Sequence, residues 1–195
     1  MGLFGLFGKK QEPDKPEEKK GEPPAITPEV RRQALLEIAK IISLDDPALM
    51  AQAAECVGHP DAYLTTHKDQ YADWDFAPGA WADPKRIQWI GLVMMLEEKS
   101  HVCCRDWKDE RPDFVYFLQE LTGTKRLGLE LREDWLDEEG DVGQWLEFLN
   151  EKWEPEECCV GVMDTNSDSY TMFVCRTAEW RRLVELAAQA GEVIE

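Results

Sequence analysis

The chain is short of basic side chains: its 195 residues include 22 Lys and Arg against 40 Asp and Glu, for a formal net charge of −18. A surface this negative repels phosphate backbones and anionic lipid headgroups, so the sequence argues against nucleic-acid binding and against stable membrane association. It favours electrostatically steered capture of a basic protein partner. Acidity also serves solubility alone, and that alternative stays open at this stage.

The sequence also lacks the short motifs that mark most cofactor and catalytic sites. It has no Gly-rich phosphate loop, no Gly-x-Ser-x-Gly elbow and no Cys-x-x-Cys pair, and its three histidines have no common ligand spacing (His59, His67, His101). These absences disfavour nucleotide-dependent chemistry, an α/β-hydrolase mechanism and structural zinc. We therefore expect no cofactor.

No apolar run is long enough to span a membrane. The apolar segment Met1–Gly8 is followed at once by two lysines and carries no cleavage-site pattern, so it does not resemble a secretory signal. Its Leu and Phe side chains leave membrane-proximal tethering open as a hypothesis. We expect a cytoplasmic protein whose six cysteines are reduced thiols.

The segment 9–24 contains four prolines, charges of both signs and no apolar residue. Such a composition cannot bury enough surface to offset its ordering entropy. We predict that residues 1–24 form a disordered N-terminal tether and that residues 25–195 form a single domain. Because the charges of the tether cancel, the whole net charge lies on the domain.

Proline follows a capping residue at Thr27-Pro28, Asp46-Pro47 and Asp83-Pro84, and each pair predicts the start of a helix. The first helix has an apolar face through Ile42, and the second ends at Gly58. The third is apolar almost throughout residues 87–96, which predicts a central buried helix. Residues 59–73 are predicted helical, and residues 75–82 a loop.

The second half alternates between short strands and helices. We predict strands at 101–107, 158–163 and 169–176, and helices from Phe114 to about Gly123 and from 142 to about 153. Thr177 is predicted to cap a last helix with an apolar face (Trp180, Leu183, Val184, Ala187), and Val193-Ile194 could add a strand. Helices followed by a small, mainly antiparallel sheet with a C-terminal β-hairpin and helix indicate an α+β fold.

The tip of the predicted hairpin is a polar heptapeptide, and it is the most telling stretch of the chain. Asp164-Thr165-Asn166-Ser167-Asp168-Ser169-Tyr170 lies between two apolar strands, and such residues satisfy turn backbone. An EF-hand loop fails here, because Ser169 stands where Gly is required and Cys175 where a bidentate Glu is required. The candidate site residues of the tip are Asp164, Ser167, Asp168, Ser169 and Tyr170.

A second polar cluster, Asp106-Trp107-Lys108-Asp109-Glu110, follows the predicted strand at 101–107. If this strand neighbours the hairpin, Asp106 or Asp109 lies near Asp164 or Asp168, and the carboxylates could hold a divalent ion. The simpler alternative is that Asp109 and Glu110 complement the N-terminus of the next helix. Asp106, Trp107 and Asp109 join the candidate set.

The vicinal pairs Cys103-Cys104 and Cys158-Cys159 both fall on predicted strands. Adjacent strand residues point to opposite faces, so only one member of each pair could share a site. Buried cysteines acting as small hydrophobes are the favoured interpretation. A catalytic thiol would need a base, and His101 is the local candidate.

Eight tryptophans are many for this length. Trp89, Trp145 and Trp180 lie on apolar faces and are predicted in the core. Four others lie in predicted loops or among acidic residues, where an exposed indole suits a protein interface (Trp74, Trp81, Trp107, Trp135).

The element Asp106-Trp107-Lys108-Asp109 before an apolar helix, together with Asp164-Thr165-x-Ser167-Asp168-Ser169-Tyr170 before a strand and a helix, resembles a bacterial family known as a domain of unknown function. The resemblance covers about residues 83–190. It implies an α+β intracellular protein and brings no established activity, so it assigns no catalytic residue.

Two functions remain as hypotheses. The first is a non-enzymatic, acidic protein-binding factor of an immunity-like or regulatory kind. The alternative is a metal-assisted hydrolase that uses some of Asp106, Asp109, Asp164 and Asp168, with Ser169 or Tyr170 orienting the substrate.

Overall fold

The computed structural model describes residues 26–72, 74, 79 and 82–195. The predicted tether at residues 1–24, with the apolar segment Met1–Gly8, lies outside the described residues, as do Trp81 and most of the loop predicted at 75–82. Among the helices of the described part, none is both long and apolar enough to cross a membrane.

The first half is helical: α1 Pro28–Ser43, α2 Pro47–Gly58, α3 Pro60–Thr66, α4 Lys68–Ala72 and α5 Pro84–Glu98. The three predicted caps are confirmed, because the side chains of Thr27, Asp46 and Asp83 accept backbone N–H groups of the first turn. The predicted helix at 59–73 is two short helices that break at His67. Helix α5 is buried along most of its length, as its apolar run predicts.

The second half contains β1 Cys103–Asp106, α6 Arg111–Glu120, α7 Thr122–Leu127, α8 Val142–Trp153, β2 Cys158–Met163, β3 Ser169–Arg176 and α9 Thr177–Ala190. Short 3-10 turns lie at Glu133–Trp135 and Glu154–Glu156. The helix expected to end near Gly123 ends at Glu120, and Gly123 lies inside α7.

The predicted cap of the last helix is wrong. Thr177 is the first residue of α9, and the carboxylate of Glu179 instead accepts the backbone N–H of Arg176, at 2.9 Å. The N-cap residue is Arg176, and the contact from Glu179 at the third helical position is the half of a capping box that satisfies the N–H of the N-cap residue, so Thr177 does not act as the cap. The Thr177 hydroxyl is thereby available for another contact.

The strands form an antiparallel sheet of order β1-β3-β2. Strands β2 and β3 are the two arms of the predicted hairpin, with Cys159 opposite Cys175. Strand β1 pairs with the other side of β3, so that Asp106 lies opposite Ser169. The α+β class and the hairpin followed by a helix are confirmed.

The sheet separates two hydrophobic cores. One face packs on α1, α2, α3, α5 and α9 through side chains such as Met163 and Phe173. The other packs on α6 and α8 through Met172 and Val174. Cys158 belongs to the second core and Cys159 packs against the first, as strand alternation predicts.

The outer edge of β2 is covered, which prevents it from pairing with another chain. The Asn150 side chain accepts the Val160 N–H at 2.7 Å and donates to the Val160 carbonyl at 3.2 Å. Further along, Glu195 exchanges two backbone hydrogen bonds with Val162. The strand predicted at Val193-Ile194 is therefore a single bridge, Met163 to Ile194, with flanking hydrogen bonds.

Candidate functional site

A cavity of about 420 Å³ lies beside the hairpin tip. Six of the eight predicted site residues line it: Trp107, Asp164, Ser167, Asp168, Ser169 and Tyr170. Val162 and Glu195 complete the lining. We call this feature the Trp107 cavity.

The hairpin tip is shaped by its own polar side chains. Asp164 Oδ1 accepts the backbone N–H of Asn166 at 2.7 Å, and Asn166 takes a left-handed conformation with φ of 60°. Ser167 Oγ accepts the N–H of Ser169 at 3.3 Å. These are turns that Asp, Asn and Ser form locally, so the sequence of the tip accounts for its conformation.

Helix α5 holds the tip in place from beneath. The indole N–H of Trp89, which is 1% exposed, donates to the Asp164 carbonyl at 2.7 Å. The Arg86 guanidinium donates to the Thr165 carbonyl at 2.6 Å. Burial lowers the pKa of Arg86, while the charges of Glu192 and Asp164 act in the opposite direction. The carboxylate end of the tip is thus fixed on a buried helix.

Trp107 lines the same cavity and is 43% exposed. Its carbonyl accepts the N–H of Val142 at 3.4 Å, which brings it to the start of α8. Tyr170 reaches the same helix, since a β-carbon on Gly143 would lie 3.1 Å from its hydroxyl. The Lys108 ammonium lies 4.3 Å from the centroid of the Trp107 ring, a cation–π distance.

The structure separates Asp106 and Asp109 from the cavity lining. Asp106 lies opposite Ser169 on the ladder, and its Oδ1 accepts the N–H of Lys108 at 2.8 Å. Asp109 forms a bidentate ion pair with Arg105, at 2.5 and 2.6 Å, and this hydrogen bonding raises the pKa of Arg105. The Asp109 carboxylate therefore serves an ion pair within its own segment.

Asp109 and Glu110 lie at the N-terminus of α6, where the simpler alternative places their charges, but Glu110 forms no capping side-chain hydrogen bond. Glu110 occupies the N-cap position, and Asp109 faces Arg105.

Within the described residues, no group of three or more His, Cys, Asp or Glu side chains is placed so that it could hold a metal ion.

Glu195 and Val162 are the lining residues that sequence reasoning missed. Both are placed by the backbone pairing between the last residues and β2. The apolar pair Val193-Ile194, predicted as a strand, was the available signal, because a strand there would carry Glu195 to the edge of β2.

The tryptophan predictions are confirmed for Trp89, Trp145 and Trp107, whereas three other tryptophans have intermediate burial (Trp74, Trp135, Trp180). Trp89 and Trp145 are buried, whereas Trp180 is only partly buried. Among the predicted surface tryptophans, Trp107 is exposed, and Trp74 and Trp135 are partly buried. Trp107 is thus the indole that a partner could reach most fully among the described residues.

Four of the six cysteines are buried, which supports their role as small hydrophobes (Cys56, Cys103, Cys158, Cys175). Burial raises the pKa of the Cys56 and Cys103 thiols to about 12. Cys104 and Cys159 are partly exposed.

Comparison with known proteins gives a family and no activity. No curated protein and no solved structure matches the chain. The family model described as "Domain of unknown function (DUF6630)" matches residues 34–195, a wider span than the resemblance at 83–190 had indicated. From within α1 to its last residue, the chain belongs to the DUF6630 family, whose function is unknown.

Proposed function

We propose that this protein is a non-enzymatic binding factor, of an immunity-like or regulatory kind, that takes a basic segment of a partner protein in the Trp107 cavity. The observation that carries the proposal is the lining of this cavity. It combines the aromatic side chains of Trp107 and Tyr170 with the carboxylates of Asp164, Asp168 and Glu195, and includes neither Lys nor Arg among the described residues.

This combination suits a Lys or Arg side chain. A cation is attracted by the face of an aromatic ring and by carboxylates, and the two attractions add when they converge on one space. Lys108 already lies against Trp107 in this way, which supports the affinity of that ring for a cation. A basic segment would displace Lys108 and gain the carboxylates as well.

The rest of the chain supports the same partner. The net charge of −18 attracts a basic protein over a distance and raises its association rate. Trp107 supplies an exposed indole of the type that dominates binding energy in interfaces. Because α5 and the turn hydrogen bonds fix the tip, little ordering entropy is lost on binding.

The alternative, a metal-assisted hydrolase, has less support. Asp164 and Asp168 share the cavity, but the Asp109 carboxylate is engaged by Arg105, and one Asp106 oxygen accepts a turn N–H. Ser169 and Tyr170 line the cavity, but no described contact gives either of them a general base.

We expect a short fluorescein-labelled peptide of alternating Arg and Ser to bind the full chain at low salt, as measured by fluorescence anisotropy. Trp107→Ala should weaken binding by roughly 30-fold, the effect of losing a central aromatic contact. Asp164→Asn combined with Asp168→Asn should weaken it roughly fivefold, because each exposed ion pair contributes about 0.2–1 kcal/mol. Added salt should weaken binding steeply.

The matched control is Glu37→Gln combined with Glu55→Gln. It makes the same change in net charge at exposed positions on α1 and α2, away from the cavity. This control should weaken peptide binding by about twofold or less. Equal weakening by both double variants would reduce the effect to net charge and refute a specific cavity, and salt-independent binding would refute the electrostatic basis.

A further inference from the structure

A second cavity, of about 350 Å³, lies where β2 meets the start of α9. It is lined by Asn150, Glu151, Glu154, Cys158, Cys159, Val160, Thr177, Trp180 and Glu195. Cys159 is the partly exposed thiol of this cavity. Cys159 is therefore the cysteine of this cavity that we expect a small solute to reach.

A second thiol lies directly behind Cys159. Cys175 is its partner on the β2–β3 ladder, and directly opposed residues project from the same face of a sheet. Directly opposed Cα atoms in an antiparallel pair are about 4.5 or 5.5 Å apart, and disulfides span about 4.4–6.8 Å between Cα atoms. The spacing of a directly opposed pair is therefore compatible with a disulfide between Cys159 and Cys175.

The surroundings of Cys159 favour its thiolate. Hydrogen bonds from the Cys175 thiol and the Thr177 hydroxyl lower the pKa of Cys159, against the opposing effects of burial and of Glu179. Thr177 opens the 14-residue helix α9, whose N-terminal end favours a nearby negative charge. Cys175, which donates to Cys159 and is buried, has a raised pKa and keeps its proton.

The neighbouring Cys158 lines the same cavity, but its thiol pKa is shifted in the opposite direction. Its thiol donates to the Glu156 carbonyl at 3.3 Å, and burial raises its pKa. Cys158 also belongs to the core on the other face of the sheet. One position along the strand thus separates a structural thiol from an accessible one.

We propose that Cys159 and Cys175 form an oxidisable pair in which a small hydroperoxide attacks at Cys159 and Cys175 resolves the product. The Cys159 thiolate attacks one peroxide oxygen, the O–O bond breaks, and the leaving oxygen departs as water or an alcohol after taking a proton. The resulting sulfenic acid is then attacked by the Cys175 sulfur, which forms the disulfide and releases water. The peroxide is reduced by two electrons as the two thiols are oxidised.

The first test is mapping of the disulfide in the full chain. The reduced protein is treated with a small excess of hydrogen peroxide, blocked with maleimide and cleaved before Asp164 and Asp168, which separates Cys159 from Cys175. We expect the two fragments to stay linked, with a loss of about two mass units relative to their sum. Unlinked fragments, with both thiols carrying maleimide, would overturn the proposal.

Three substitutions assign the roles. Cys158→Ser, the matched control, should form the same link, and Cys159→Ser should not. Cys175→Ser should accumulate sulfenic acid at Cys159, which dimedone traps and mass spectrometry locates. A link that persists in Cys159→Ser, or an equal dimedone adduct on Cys158, would overturn the assignment. If a variant fails to fold, tandem mass spectrometry of the wild-type linked fragments decides the pair, because the maleimide should be on Cys158 and the link at Cys159.

The role of Thr177 in positioning has a separate readout. The rate of Cys159 alkylation by iodoacetamide should rise with pH around a midpoint below about 8.5, the value for a free cysteine. Thr177→Val should move this midpoint upward, because the thiolate loses one hydrogen bond. A wild-type midpoint at or above that of free cysteine would contradict an activated Cys159, and an unmoved midpoint in Thr177→Val would remove Thr177 from the site.

Discussion

Replacing Gly123 with alanine should lower the free energy of unfolding by about 3 kcal/mol or more. Gly123 lies in α7 and is buried against β3. A β-carbon built on it would overlap the carbonyl oxygen of Val174 and stand 2.9 Å from the carbonyl carbon. The clashing atoms belong to the backbone of β3, the central strand of the sheet. Unlike a side chain, this backbone cannot rotate away, so α7 would have to separate from β3.

The measurement is urea denaturation followed by tryptophan fluorescence, with Gly58→Ala as the matched control. Gly58 ends α2, and a β-carbon there would meet nothing closer than the Arg32 guanidinium at 3.9 Å. Gly58→Ala should therefore be neutral or stabilising by about 0.4–1 kcal/mol. If Gly123→Ala loses less than about 1 kcal/mol, the close backbone packing of α7 on β3 is wrong.

The elements that sequence reasoning located well are those with strong local signals. A cap followed by Pro marks the starts of α1, α2 and α5, and the hairpin arms are bounded by polar residues at both ends. Thr177 fails as a cap because α9 begins at Thr177 itself, with Arg176 as the N-cap residue. A Thr near the start of a helix does not by itself fix which residue is the N-cap.

The candidate site was partly predictable because its turns, too, follow from strong local signals. The tip residues Asp164–Tyr170 fold by turns internal to the segment, and strand pairing brings the end of β1 beside them. The Asp109 carboxylate could interact either with Arg105 or with the N-terminus of α6, and it pairs with Arg105. Both partners are close in sequence, so the sequence alone does not decide between them. Glu195 enters through the pairing of the C-terminal residues with β2; the apolar pair Val193-Ile194 predicts a strand there, but no short pattern specifies β2 as its partner.

The second large effect is expected from Arg31→Met, which should cost about 3–5 kcal/mol of unfolding free energy. The Arg31 side chain is buried on α1, yet it joins three elements. It donates to the Ala190 carbonyl at the end of α9, to the Lys85 carbonyl of α5 at 2.8 Å, and to the Glu192 carboxylate at 2.7 Å. Met fills a similar volume but donates nothing, so the carboxylate of Glu192 is left partly buried without its partner.

Arg32→Met is the matched control, because it removes the same charge from the adjacent, exposed position. It should change the unfolding free energy by about 0.5 kcal/mol or less. Equal losses in the two variants would assign the effect to net charge and contradict a role for the Arg31 contacts.

The difference in unfolding free energy between Arg31→Met and Arg32→Met should also depend on pH. The direction of this dependence is set by Glu192. Burial raises the pKa of Glu192, and the hydrogen bond and charge of Arg31 oppose that rise. Without Arg31 the folded-state pKa moves further above the unfolded value, so the folded state takes up a proton first as the pH falls. The deficit of Arg31→Met relative to Arg32→Met should therefore shrink as the pH drops through the folded pKa of Glu192. A deficit that grows at lower pH would contradict this assignment.

Arg31 also connects the stability of the fold to both cavities. By holding Ala190 and Glu192, it anchors the residues that lead to Glu195, which lines both the Trp107 cavity and the second cavity, beside Cys159. The Val162 N–H donates to the Glu195 carbonyl at 2.7 Å, so its hydrogen exchange reports whether this segment stays docked. In Arg31→Met that exchange should accelerate more than exchange in the centre of α5, because the anchor of the C-terminal residues is lost before the buried helix opens.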